Sequence, residues 1–321
     1  DRRQRQMCIR DRYQINGVKQ YVQIISENLA NPLLIYLHGG PGDAALPLIE
    51  HFNLDLAKKH TLVIWEQRGA GKSYYPFKAD EEITIDTLVS DLKVLVERLL
   101  SERNEQQACL MGHSWGSIIG MEFIKRYPEW IDYYIGVGQV ISSQEMFADS
   151  RAYILEHSSS TAVKQRISSI DTHFDQGEWF DDLMYFMNQL IKTGGSLYGK
   201  KSYAGFYPHF IRSKNYTLRD CVHRIQGSKQ SIERLWQEVA RVDFTNEAKF
   251  EVPIILIEGE QDCHVSKRVA FDFYQKLESP KSFVCMKKAA HFPQWTRAAD
   301  FNQVVNELEV PSTDAGIYLE V

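Results

Sequence analysis

The segment Gly112-His113-Ser114-Trp115-Gly116 sets one serine between two glycines, directly after an apolar run and directly before a stretch of helical spacing. A serine hydroxyl is a weak nucleophile at neutral pH. It becomes useful where a sharp strand-to-helix turn holds its oxygen clear of a sheet and a neighbouring base takes its proton. Such a turn strains the backbone, and the flanking glycines leave room where a Cβ would collide. The helix that follows brings free N–H groups and a positive dipole end toward the charge that develops during attack on a carbonyl. A five-residue pattern arises by chance; its strand and helix context makes Ser114 a candidate nucleophile rather than an incidental turn serine.

A serine of this kind needs a base and an orienting carboxylate, which follow it along the chain in the order Ser, Asp, His on loops after later strands. Asp262 stands in GEQDCHV, just past the apolar run PIILIEG, and His291 in KKAAHFPQ, just past KSFVCM. Both sit where open α/β sheets gather their sites, at carboxyl ends of strands. His264 is the rival base, but it lies on Asp262's own loop, so it reads as a loop-surface histidine and His291 is preferred. Two backbone donors must meet the developing oxyanion. Trp115 N–H, next to the serine, is one; Gly40, in the HGGPG turn after the first buried run, is the other. Gly69 to Ser73 (GAGKS) imitates the end of a phosphate loop. Glu66 stands where the first glycine of that motif belongs and Tyr74-Tyr75-Pro76 interrupts the helix it requires, so nucleotide binding is rejected.

The elements that must hold these residues alternate. Val18 to Ser26 alternates apolar and polar residues as a half-buried strand does, and Pro32 to Leu37, Thr61 to Trp65, Cys109 to Met111, Ile131 to Val140, Pro253 to Gly259 and Lys281 to Met286 read as buried strands. Helical spacing runs over Leu88 to Leu100, behind Thr84 or Asp86 as cap, then over Ser117 to Lys125, Lys267 to Leu277 and about Asp300 to Leu308. That order predicts an α/β class: a mainly parallel central sheet flanked by helices. Residues 141–248 carry helical periodicity, aromatics and charge with no buried strand. The domains are therefore a core of 13–140 and 249–321 with a helical insertion at 141–248. Residues 1–12 (DRRQRQMCIRDR) are basic and aperiodic. They read as a non-native, adapter-like tail and are set aside from the fold.

Composition excludes other classes. The 321 residues are 44% hydrophobic and 25% charged with a net charge of −5, which offers no basic face for nucleic acid. Apolar runs have the length of strands, not of bilayer spans. The five cysteines form no CxxC pair and no metal-ligand spacing, so free thiols, a reducing cytoplasmic setting and no metal or cofactor are expected. A Cys263–Cys285 bridge is compatible with the sequence but would add little to a core this large.

Taken together, HGGPG (His38 to Gly42), WEQRGAGKS (Trp65 to Ser73), GHSWGS (Gly112 to Ser117), GEQD and AAH resemble the prolyl aminopeptidase (proline iminopeptidase) branch of the α/β hydrolases, from about residue 15 to 310. The resemblance implies an α/β-hydrolase fold with a helical cap between strands six and seven. It also implies cleavage of an N-terminal residue, often proline, from short peptides, with acidic cap residues holding the free ammonium. Glu178 and Trp179 in the cap, and Glu238 beside Trp236, are the substrate-binding candidates; solvated helix faces are their alternative. Two departures bear on this. EQRG stands for the usual DQRG, and Glu66 keeps the charge. Cys263 stands where some peptidase members carry an amine-binding glutamate after the triad aspartate. The leading expectation is an aminopeptidase-like serine hydrolase with a small-molecule or short-peptide substrate, working through an acyl-enzyme. The alternative is a carboxylesterase, lactonase or amidase on a small acyl substrate, and the remote one a non-catalytic ligand-binding protein. Epoxide hydrolase and dehalogenase chemistry is disfavoured, since it needs aspartate at position 114.

Overall fold

Runs apolar on both faces belong where helices cover a sheet from both sides, and the chain obeys that rule. The computed structural model describes residues 7–321. In chain order its elements are β1 (Met7–Ile15), β2 (Val18–Ser26), β3 (Leu33–Leu37), α1 (Leu46–Phe52), β4 (Thr61–Trp65), α2 (Ile85–Arg103), β5 (Ala108–Ser114), α3 (Trp115–Arg126) and β6 (Ile131–Gln139). Five helices follow: α4 (Ser143–His157), α5 (Thr161–Ser169), α6 (Trp179–Thr193), α7 (Tyr207–Arg212) and α8 (Leu218–Val239). The sheet pattern returns with β7 (Ile254–Gly259), α9 (Lys267–Lys276), β8 (Lys281–Met286), α10 (Pro293–Thr296), α11 (Ala298–Asn306) and β9 (Ile317–Glu320).

The strands form one sheet in the order β1-β2-β4-β3-β5-β6-β7-β8-β9. β2 pairs antiparallel with β1 and β4, and every other pairing is parallel. In β3, Leu33, Ile35 and Leu37 join one core cluster while Leu34 and Tyr36 join the cluster on the opposite face. This is the period-two alternation of a strand with no solvent side. Thr84, not Asp86, caps α2: its hydroxyl accepts from Thr87 N–H, and Asp86 sits in the first turn, where the helix dipole favours its charge.

The helices between β6 and β7 share the core instead of enclosing a separate one. Phe147, Phe174, Phe186 and Trp236 meet with ring centroids 5.0 to 6.5 Å apart, within the cluster that holds Leu33 and Trp115. Gln230 of α8 donates to the Gly69 and Tyr75 carbonyls, and Lys72 pairs with Asp220 at 2.9 Å. The imitation phosphate loop is thus a brace against α8.

Two readings change, and one strand went unread. Residues 7–12, set aside above, lie in β1, where Arg10 pairs with Gln23 and Arg12 with Tyr21. Their side chains are exposed, so the backbone ladder holds them and composition carries no sign of it. Residues 1–6 of that segment lie outside the described residues. β9 has no reading in the sequence because its four side chains are exposed and only its pairing with β8 defines it. Burial raises the Glu66 carboxyl to about 7, so a full charge is not kept; it accepts from Tyr216 Oη and Lys72 N–H. All five cysteines are free thiols.

Candidate active site

Ser114 ends β5 and stands just before α3 with φ 52° and ψ −119°. A non-glycine residue pays for that conformation in strain, which persists only where the surroundings impose it. They do so through Gly116, where a Cβ would lie 2.1 Å from Leu37 O, so α3 can seat against the end of β3 only with glycine there. Ser117 Oγ donates to Ser114 O and accepts from Val140 N–H, tying the turn to the end of β6. Among the described residues the Ser114 hydroxyl itself has no hydrogen-bond partner.

Asp262 follows β7 and His291 follows β8. His291 Nδ1 lies 2.9 Å from Asp262 Oδ2, and the two side chains are 2% and 0% exposed. Asp262 Oδ1 accepts from His264 N–H at 2.8 Å and Val265 N–H at 3.1 Å. Burial opposes the charge on Asp262, but His291 and these donors prevail and hold the carboxyl below its ordinary range. Glu258, wholly buried on β7, is pushed far the other way by burial and then by Asp262, and it accepts from Gln139 N–H at 2.8 Å.

His264 does not lie on the loop surface. It is half-buried, stacks on His291 and places Nδ1 2.9 Å from Ser196 Oγ. Burial, then the neighbouring His291, drives its pKa far below the ordinary histidine range. Ser196, just past α6, also accepts the His291 backbone N–H at 3.1 Å, and Gly195 O accepts that of Cys263 at 3.1 Å. The insertion therefore holds both the Asp262 and the His291 loops. Nothing local in Gly194-Gly195-Ser196 signals that role.

The two expected oxyanion donors are cross-braced. Trp115 is the first residue of α3, so its N–H has no intrahelical acceptor. Gly40 adopts φ +125°, a conformation open to glycine. Gln67 accepts from Trp115 Nε1 at 2.9 Å, donates its amide to His38 O at 3.0 Å and gives its N–H to His38 Nε2 at 3.1 Å. It thereby links the HGGPG loop to the start of α3.

Ser114, His291, His264 and Gly40 line one cavity of about 220 Å³. Leu183, Met184, Met187 and Ile191 from α6 and Ile232 and Trp236 from α8 form its apolar wall. The substrate-binding candidates need correction. Glu178 is exposed at the start of α6, Trp179 packs partly buried against the core, and neither borders the cavity. Glu238 is drawn away because its carboxylate accepts from Ile85 N–H at 3.1 Å, at the first turn of α2. Among the described residues the one carboxylate lining the cavity is Asp43, which is paired with Arg224. Among the described residues no cluster of His, Cys, Asp or Glu is placed to hold a metal ion, and no helix is long and apolar enough to cross a membrane.

Known proteins resemble this chain in sequence and in fold. The family described as "Serine aminopeptidase, S33" matches residues 33–188. A Bacillus subtilis protein named "Probable aminopeptidase YbaC" is 29% identical over 87% of this chain and 89% of its own length. The Lactobacillus helveticus proline iminopeptidase is 26% identical over 54% of this chain and 58% of its own. The proline iminopeptidase of Mycobacterium smegmatis superposes with a TM-score of 0.64 over 94% of this chain and 97% of its own, at 15% identity. The chain has the α/β-hydrolase fold, and its sequence is similar to that of serine aminopeptidase and proline iminopeptidase relatives.

Proposed function

We propose that the chain cleaves a small N-terminal residue from short peptides or aminoacyl amides through an acyl-enzyme on Ser114. The observation that carries this reading is the strained Ser114 in one cavity with a His291 already oriented by buried Asp262. In that scheme His291 accepts the Ser114 proton as Oγ attacks the carbonyl, and Asp262 stabilises the imidazolium. Gly40 and Trp115 N–H groups take the oxyanion. The C–N bond breaks as His291 returns the proton to the departing nitrogen, and water then releases the acyl group by the same route. The helices of residues 141–248 act as the cap that closes over the acyl group.

The apolar wall and the Asp43–Arg224 pair favour a second reading, an esterase, lactonase or amidase indifferent to a free amine. Rates on Pro- and Ala-p-nitroanilide, their N-acetylated forms and simple p-nitrophenyl esters separate the two. Turnover confined to free amines supports the aminopeptidase. Equal or better turnover of blocked amides and esters supports the second. Failure of a fluorophosphonate to label Ser114 in the folded protein would sink both and leave a non-catalytic binding protein.

A further inference from the structure

A second cavity, of about 330 Å³, adjoins the one that holds Ser114, and Tyr203 and Trp295 border both. Its lining is of another kind. Lys200, from the insertion, and Lys288, from the core, border it together with Phe52 and Phe206, and among the described residues no carboxylate does. Among the described residues neither ammonium has a carboxylate partner, whereas the adjacent Lys287 is held by Glu260 and Glu320. Trp295 is 6% exposed and its Nε1 has no acceptor. An indole N–H can only donate, and a buried donor left unpaired needs a reason.

Position gives the cavity its meaning. Lys288, Trp295 and Thr296 flank His291 on one continuous stretch, so the loop that bears the base also walls this space. A leaving group must lie beside His291 to receive its proton. The acyl group has the apolar wall of α6 and α8 on the other cavity.

We propose that the second cavity is a leaving-group subsite that takes a carboxylate, the free C-terminus of the amino acid or short peptide released as Ser114 is acylated. This deepens the peptide reading above and rests on it. The Ser114 Oγ–carbon bond forms, the C–N bond breaks, and the proton from Ser114 passes through His291 to the departing nitrogen. The carboxylate one or two residues along meets Lys200 and Lys288. Because one lysine comes from the insertion and the other from the core, the subsite exists only while the two are docked.

The test is calorimetric binding of Ala-Ala and Ala-Ala-Ala, each as free acid and as C-terminal amide, to Ser114→Ala protein. The free acid of at least one length is expected to bind about 5- to 10-fold tighter than its amide at low salt. That preference should collapse toward unity in 0.5 M NaCl and in Ser114→Ala protein that also carries Lys200→Met and Lys288→Met. Equal binding of acid and amide, no binding of either, or a preference that survives both lysine substitutions overturns the subsite. Cleavage of the same peptides by the unsubstituted protein is scored separately. Lysine-dependent binding without cleavage would sink the peptidase reading and leave a carboxylate subsite standing.

Discussion

His264 lies face to face with His291, ring centroids 4.1 Å apart and planes 9° from parallel, while Ser196 Oγ holds its Nδ1 at 2.9 Å. The same serine accepts the His291 backbone N–H. One histidine, His264, and one serine from the insertion, Ser196, therefore hold the His291 loop and ring in place.

From this contact, His264→Ala should lower kcat/KM roughly 10-fold by loosening His291. Ser114→Ala and His291→Ala should each lose roughly 10⁴- to 10⁶-fold on the same substrate. A dead His264→Ala beside an active His291→Ala would reverse the assignment of the base.

Stability should fall on acidification before carboxylates of ordinary pKa titrate, with proton uptake by the buried Glu66 opposing part of the loss. Burial holds His38 at about 4, and burial with the neighbouring His291 holds His113 at about 3. The folded state keeps both neutral while the unfolded chain takes up protons below about 6.5. Their contribution is whole above that pH and lost progressively down to the folded values. His38 alone accounts for roughly 2 kcal/mol between pH 7 and pH 5. Urea midpoints at those two pH values measure the effect, and an unchanged midpoint contradicts it.

Glu238 should matter to stability and not to substrate. Glu238→Ala removes the acceptor for Ile85 N–H and should cost about 1 kcal/mol. KM for a free-amine substrate should not move. A large rise in KM with unchanged thermal stability would return Glu238 to the substrate site.

Gly116→Ala should destabilise the chain by roughly 1–3 kcal/mol, because its Cβ would press on Leu37 O and force α3 away from β3. Residual activity per folded molecule should fall too, since the same shift carries Ser114 and Trp115. Thermal melting and active-site titration with a fluorophosphonate separate the two effects.

Local pattern carried much of this protein. Each buried strand announces itself as an apolar run; Ser114 ends one, and Asp262 and His291 stand on the loops just after two others, so neighbouring residues mark all three as candidates. Residues 7–12 of β1 and the whole of β9 escaped because their side chains are exposed and only a ladder defines them. Which segments meet is a different question, and periodicity has no access to it. Glu238 looks like a cap carboxylate until it is seen against Ile85, 153 residues earlier. Asp43 looks free until Arg224 covers it. Spacing from Asp262 made His264 a surface residue, and its stacking on His291 depends on two loops and the insertion converging. The sequence by itself determined the α/β layering, the helical insertion and the serine turn, because each follows from short-range alternation of size and polarity. The tertiary structure alone decided which carboxylates are spent on the fold, which lysines stay unpaired and what holds His291 in place. Those outcomes depend on long-range chain closure and desolvation, which no local window contains.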